Sequence, residues 1–370
     1  MNSKAYVKAA ATGFMRMINS AYLVKIAAGE YYSIVQKRPL YKNVTIDDQQ
    51  EKEIQSIWKR HYGKKIPTRW HRLYQSYTGR YNKKYFPEVL FTTKLERRLN
   101  DREVARFISD KSFLPMYYRD VEGVRSPDTY LMNNSGIFYT ADRRIISREK
   151  AASLLWDQGK VIIKPTLDSS SGDSVNRFDF HVGIDRISGD SIEDVFDGYK
   201  ENFLVQEKII PSRHMKVLYP DSINTLRVIT YLIDDEVKCA PITLSMGRDG
   251  NHVDNIQAGG ISIAVSDDGM LADEGYTHFG EVHTEHPDTG TPFKGHRLPK
   301  IPDVIRVAKE MHEKTPHMRI ISWDITIDEN ETIVLLEINI SGQSVWFPQM
   351  VSGKAVFGED TERMIQMLKK

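Results

Sequence analysis

The chain has 370 residues, 40% of them hydrophobic and 27% charged, with a mean hydropathy of −0.45. This length predicts two or three domains with real cores, and no run approaches the roughly 18 apolar residues that would make a membrane-crossing helix. One cysteine, Cys239, excludes an intrachain disulfide and a thiolate zinc cluster; it sits in an apolar, strand-like stretch, reads as inert, and together with the lack of a clean signal-peptide core leads us to expect a cytoplasmic protein.

The net charge of +1 conceals an asymmetry. Residues 1–100 hold 20 Lys and Arg against 7 Asp and Glu, a balance of +13, and the rest of the chain balances at −12. A basic first third joined to an acidic body points to an anionic membrane surface or a polyanion as a contact for the first part.

Residues 3–28 read as an amphipathic helix, with Val7, Ala10, Ala11, Phe14, Ile18, Ala21 and Tyr22 at spacings of three and four. Its charges are positive until Glu30, so it either packs on the body or lies on an anionic membrane. A second helix is expected over 46–62, opened by Asp47 and Asp48. Basic and aromatic residues then alternate from Trp70 to Phe86. Such a stretch can stack bases or sugars, or bury its rings in a helical cap; no nucleic-acid signature accompanies it, and no nucleic-acid partner is expected.

From about residue 135 the pattern turns to short strands. Val-Ile-Ile-Lys-Pro over 161–165 is a strand stopped by proline, 177–182 alternates as an antiparallel strand does, and 191–201 is a capped helix. Strands follow over 203–210, 225–233, 236–245 and 260–265, then a helix over 302–314 with proline in its first turn. Residues 320–327 and 332–338 form a hairpin around Asp-Glu-Asn-Glu.

That hairpin carries the strongest chemical signal. Glu337 and Asn339 are two apart on one strand and share a face; folding back brings Asp324 opposite them. Carboxylates among Ile325, Leu335, Leu336 and Ile338 are costly unless paired or bound to a metal. Two carboxylates and an amide oxygen are hard donors suited to Mg²⁺ that also takes phosphate oxygens. Lys164 ends an apolar strand and precedes a Ser/Gly turn over 168–174, a combination that can cradle phosphate. No Walker A pattern occurs. Arg227, two residues after Thr225 in a strand entered through Asn224, is a candidate phosphate clamp. Arg248, Asn255, Gly259 and Gly260 form a further polar cluster that, with Asn224, is a candidate substrate contact.

In this order the elements resemble the ATP-grasp ligases: strand, lysine and Ser/Gly loop, then Val-Gln-Glu-Lys-Ile-Ile, then a strand arginine, then Asp, Glu and Asn on a closing hairpin. Asp221 to Thr230, His286-Pro-Asp-Thr-Gly290 and Trp323 to Asn339 resemble more narrowly the sugar-transfer associated ATP-grasp family, over roughly residues 100–350. The resemblance implies an α+β ATP-grasp fold, two lobes clasping ATP, preceded by a basic, mostly helical region over 1–100. It places the smaller lobe and its approach at 101–210 and the larger lobe at 211–370.

By the same resemblance Lys111 is an early ATP-contacting lysine, and Lys164 holds the α/β-phosphates under a lid that includes Ser170, Ser171 and Gly172. Glu207, Lys208 and Ile210 match the adenine-reading hinge, Arg227 the arginine at the transferred phosphate, and Asp324, Glu337 and Asn339 the Mg²⁺ ligands. Ser341 and Gly342 stand where the family has its acceptor turn. The lid has one glycine where relatives have more, and the usual ribose-binding carboxylate has no match, so His214 stands in for it. The implied reaction is carboxylate–amine ligation through an acyl phosphate, on a sugar or polysaccharide precursor. Two other readings stand beside it: a kinase on the same fold, and a non-catalytic protein that binds an anionic glycan or membrane.

Overall fold

The computed structural model describes residues 3–167 and 175–369, with 3–19 described by backbone alone. The chain divides into two compact units, one of residues 1–101 with 341–370 and one of residues 102–340.

The first unit is helical. Its first helix runs from Ser3 to Gln36, past the expected end near residue 28. Asp47 begins the helix Asp48–Tyr62 with a capping box, accepting from the Gln50 N–H while the Gln50 side chain accepts from its own; Gly63, left-handed at φ 84°, ends it. The basic–aromatic stretch turns its rings inward: Trp70, Tyr74, Tyr85 and Phe86 are buried with Trp58 and Phe357. Burial of this aromatic surface drives the unit's packing, and these rings are spent as core rather than presented for stacking.

The second unit contains two sheets. Its strands are β1 (Val124–Arg125), β2 (Thr129–Asn134), β3 (Ile137–Thr140), β4 (Ile145–Ile146), β5 (Gly159–Pro165), β6 (Asn176–His181), β7 (Ile184–Asp185) and β8 (Phe203–Glu207). They continue with β9 (Thr225–Ile233), β10 (Glu236–Cys239), β11 (Ile242–Met246), β12 (Ile261–Val265), β13 (Leu271–Thr277), β14 (Val282–His283), β15 (Ile320–Ile327) and β16 (Ile333–Asn339). The smaller sheet has the order β4-β3-β2-β8-β5-β6-β7 and is antiparallel throughout. Alternation along β5 sends Val161 and Ile163 into its core, with Phe180, Phe203 and the helices Arg148–Leu155 and Ile192–Tyr199. Lys160, Ile162 and Lys164 take the opposite face.

The larger sheet has the order β1-β16-β15-β9-β11-β12-β13-β14, with β10 beside β9. The helix Ile301–Glu313 buries Val304, Val307, Ala308 and Met311 in the core shared with Trp323, Val228 and Leu244. The single strand expected over 236–245 is two strands, β10 and β11. Pro241 lies between them, where a residue without an N–H cannot continue a ladder.

Candidate active site

Register places the site. Arg227 on β9 lies opposite Asp324 on β15, and Asp324 lies opposite Glu337 on β16. Cross-strand partners share a face at about 5 Å between Cβ atoms, so three adjacent strands lay an arginine and two carboxylates in one row. Ser322 opposite Asn339 forms the next row. Arg227 Nε is 3.0 Å from Asp324 Oδ1, Arg227 Nη1 donates to Ser322 Oγ at 3.3 Å, and Asn339 Nδ2 donates to Asp324 Oδ2 at 3.1 Å.

Two lysines reach this row from the other side. Lys111 is buried and its Nζ lies 3.0 Å from Glu337 Oε1. Its own N–H donates to Thr166 O at 2.9 Å, which ties the short helix Lys111–Phe113 to the end of β5. Lys164, also buried, donates to Leu336 O at 3.2 Å, one residue from Glu337. Lys111, Lys164, Arg227, Asp324, Glu337 and Asn339 therefore converge, although they span more than 200 residues of sequence.

The electrostatics are those of a partly buried, charge-dense site. Burial pushes the Asp324 carboxyl up to about 6; Arg227 pulls it down, and Glu337 and Asp254 push it further up. Burial lowers Lys164 to about 8, helped by Lys111 and opposed by Glu337 and Asp324. Asp254 is a member the sequence reading missed. It accepts from the Thr225 N–H at 2.8 Å, and burial raises its carboxyl. Its signal was adjacency to Asn255 and to the Arg227 strand, which only the fold turns into proximity.

The donor set fits magnesium and a phosphate chain. Asp324 Oδ1 is buried, paired by charge with Arg227 but without a well-aligned hydrogen bond. Such an acceptor is costly unless a cation takes it. Two carboxylates and the Asn339 amide oxygen supply hard oxygens. No group of three or more His, Cys, Asp and Glu that could hold a metal occurs among the described residues; the set here is two carboxylates and an amide.

The hinge residues have a different environment. Glu207 accepts from the Asp128 N–H at 2.7 Å and pairs with Arg125, whose Nη2 is 2.9 Å from Asp328 Oδ2. Asp328 Oδ1 in turn holds the hairpin turn through the N–H groups of Asn330 and Thr332. Arg125, unforeseen in the sequence, thus joins the end of β8 to the hairpin. Lys208 is depressed by burial and by Arg177 and Lys160. Ile210 and His214 line a cavity of about 650 Å³, and the Arg227–Asp324–Glu337 row is not part of its lining.

Several other candidates carry structural contacts of their own. Asn224 is fully buried at φ 58°; Ser222 Oγ donates to its Oδ1, and its Nδ2 donates to Met215 O and Tyr219 O. Its amide is engaged in the turn that starts β9. Asn255 accepts from the Gln257 N–H at 2.7 Å, and Gly259 follows at φ 99°. A Cβ on Gly260 would stand 2.7 Å from Met246 O, so backbone crowding selects glycine there. Arg248 Nη1 lies 2.8 Å from Glu281 Oε2. Ser341 and Gly342 open the segment that groups with the first unit. Ser170, Ser171 and Gly172 lie outside the described residues.

Comparison with curated proteins gives no match. Among solved structures, the chain is similar to carboxyaminoimidazole ribonucleotide synthase from Aspergillus clavatus, complexed with ATP, at 14% identity and TM-score 0.37, covering 66% of this chain and 48% of that one. It is similar to an L-amino acid ligase from Bacillus licheniformis at 14% identity and TM-score 0.35, covering 69% and 48%. D-alanyl-alanine synthetase A from Vibrio cholerae gives 14% identity and TM-score 0.37, covering 70% and 63%. The chain spans about half the length of the first two. A family model described as sugar-transfer associated ATP-grasp matches residues 90–364, well over half of the chain. The α+β architecture, with two antiparallel-sheet layers after a helical N-terminal region, agrees with that match, and the chain belongs to the sugar-transfer associated ATP-grasp family.

Proposed function

We propose that this protein is an ATP-dependent ligase that joins a carboxylate to an amine, with a sugar or polysaccharide precursor as one substrate. The observation that carries this reading is the Arg227–Asp324–Glu337 row, with Asn339 beside it and Lys111 and Lys164 closing on it. Membership of the family supports the nucleotide and the ligase class. The basic N-terminal region supplies a contact for an anionic surface.

In this reading Asp324, Glu337 and Asn339 hold magnesium, which neutralises charge on the phosphate chain. Lys111, Lys164 and Arg227 bind and orient the phosphates. Glu207, Lys208 and Ile210 read the adenine, His214 contacts the ribose, and Ser170, Ser171 and Gly172 cover the phosphates. Arg248 and the 255–260 turn, with Ser341 and Gly342, face the acceptor. A substrate carboxylate oxygen attacks the γ-phosphorus, the bond to ADP breaks, and an acyl phosphate forms. The amine then attacks the acyl carbon, phosphate leaves with the bonding pair, and the amine proton passes to solvent or base. The protein supplies no covalent nucleophile; it supplies alignment and fixed charge. Water must be excluded, since it hydrolyses the acyl phosphate.

The test is an ADP-release screen of purified protein with MgATP against amino acids crossed with uronic acids and nucleotide sugars. The expected result is equal release of ADP and free phosphate with an amide product. Phosphate retained on the product would make the enzyme a kinase. No release with any pair, from protein that binds MgATP, would remove the ligase reading for these substrate classes.

A further inference from the structure

Over its described side chains, residues 20–36, the first helix, Ser3–Gln36, has two apolar faces, one packed on the unit and one exposed. Ile34 is buried, and Leu23, Ile26, Ala27, Glu30 and Ser33 are partly buried, a row at helical spacing that packs on the rest of the unit. On the other side Ala21, Val24, Ala28, Tyr32 and Val35 recur at spacings of three and four, and all are exposed. Val24 is 68%, Tyr32 66% and Val35 55% exposed. A soluble helix ordinarily turns charged residues to that side. This row spans roughly 21 Å at 1.5 Å per residue, and in sequence the same spacing continues back through Met17, Phe14, Ala10 and Val7.

The charge around the row has one sign. The helix contains Lys4, Lys8, Arg16 and Lys25, and its one acid, Glu30, lies in the inward row. Lys25 beside the exposed row, and Arg38 and Lys42 just beyond its end, are exposed. The excess of 20 basic over 7 acidic residues in residues 1–100 extends the same sign. A second copy of the helix is poorly matched to this surface. Two-stranded coils are directed by opposite charges flanking the seam, and here the flanking positions offer Lys25 and no exposed acid in the helix. An exposed apolar stripe bordered by cations, with tyrosines whose rings suit the headgroup boundary, matches a lipid surface of negative charge.

We infer that the outward face of the first helix, centred on Val24, Ala28, Tyr32 and Val35, docks the protein peripherally on an anionic lipid bilayer. This stands apart from the ligase reading, since none of these residues belongs to the proposed site. The test is co-sedimentation of the full-length protein with vesicles of phosphatidylcholine alone and of phosphatidylcholine mixed with phosphatidylglycerol. The expected result is binding to the mixed vesicles, weaker binding to the neutral ones, and loss of affinity as salt rises. The double variant Val24→Glu, Tyr32→Glu, at exposed positions, keeps the parent Tm and loses roughly tenfold or more in vesicle affinity. Failure of the parent to sediment with either vesicle overturns the inference, as does equal binding by parent and variant. A parent dimer in light scattering that the double variant dissolves, with no vesicle binding by either, overturns it in favour of a second copy.

Discussion

Replacing Glu337 by Gln keeps the shape of the side chain and removes its charge from one end of the Arg227–Asp324–Glu337 row, beside the central Asp324. Two consequences can be worked from the structure. Glu337 Oε1 is 3.0 Å from Lys111 Nζ. At an effective dielectric of about 20 that pair attracts by about 5 kcal/mol before desolvation is subtracted. The Lys111 side chain is 3% exposed and that of Glu337 27%, so roughly 1–3 kcal/mol of stability remains at stake. The second consequence is larger for function. Losing one of two carboxylate donors lowers magnesium-dependent nucleotide affinity by about a hundredfold, or about 2.7 kcal/mol. Metal-free nucleotide binding does not weaken, because a negative charge has left the phosphate site. Calorimetric titration with a non-hydrolysable ATP analogue, with and without magnesium, separates the two; a Tm measurement reports the stability part. A Glu337→Gln protein that is folded and shows the parent's full magnesium dependence would refute the metal assignment.

Other consequences follow from the same geometry. Arg125→Gln removes the link between Glu207 and Asp328; the arginine is 33% exposed, so roughly 1–2 kcal/mol of stability is lost in urea titration, together with severalfold weaker adenine-nucleotide binding. An unchanged urea midpoint would show the bridge to be idle. Gly260→Ala places a Cβ 2.7 Å from Met246 O and costs about 1–3 kcal/mol by the same titration; a neutral result would mean the loop moves freely. Burial lowers His312 from 6.5 to about 4 in the fold. A lowered histidine favours the folded state least where the unfolded state takes up the proton, so this contribution is intact above pH 6.5 and is lost as pH falls toward 4. The loss amounts to about 2 kcal/mol by pH 5, and His312→Gln should flatten that part of the stability–pH curve.

The site owes its character to three cations and three carboxylates, Asp254 included, sharing a partly buried space. Neither sign is fully balanced by solvent, so Asp324 is driven toward its neutral form and Lys164 toward its own. The cations and carboxylates pair with one another, Lys111 with Glu337 and Arg227 with Asp324; a triphosphate with magnesium offers each sign a further partner. That set of exchangeable pairs, rather than any single residue, supports the nucleotide reading.

Local signals set out most of the second unit's strands from β5 onward and the closing hairpin, because alternation and turn residues act over a few positions. Asp324, Glu337 and Asn339 could be paired in advance since one hairpin carries all three, and period two fixes their common face. Other parts depend on contacts distant in sequence and were beyond such reading. The strands β1 to β4 lack a clear period of their own: β1 exists through pairing with β16, β2 through pairing with β8, and β3 and β4 extend the sheet from β2. Asp254 joins the site only because the 247–260 loop folds against β9. Asn224 reads as a substrate contact because a polar residue before a strand arginine suits a cleft; the buried turn at φ 58° that engages its amide leaves no trace in spacing. Sequence alone therefore determined which residues could bear charge on one strand face. Tertiary structure decided which of those faces meet, since register between β9, β15 and β16, and the seating of Lys111 and Lys164 on them, arise from long-range packing that no short window contains.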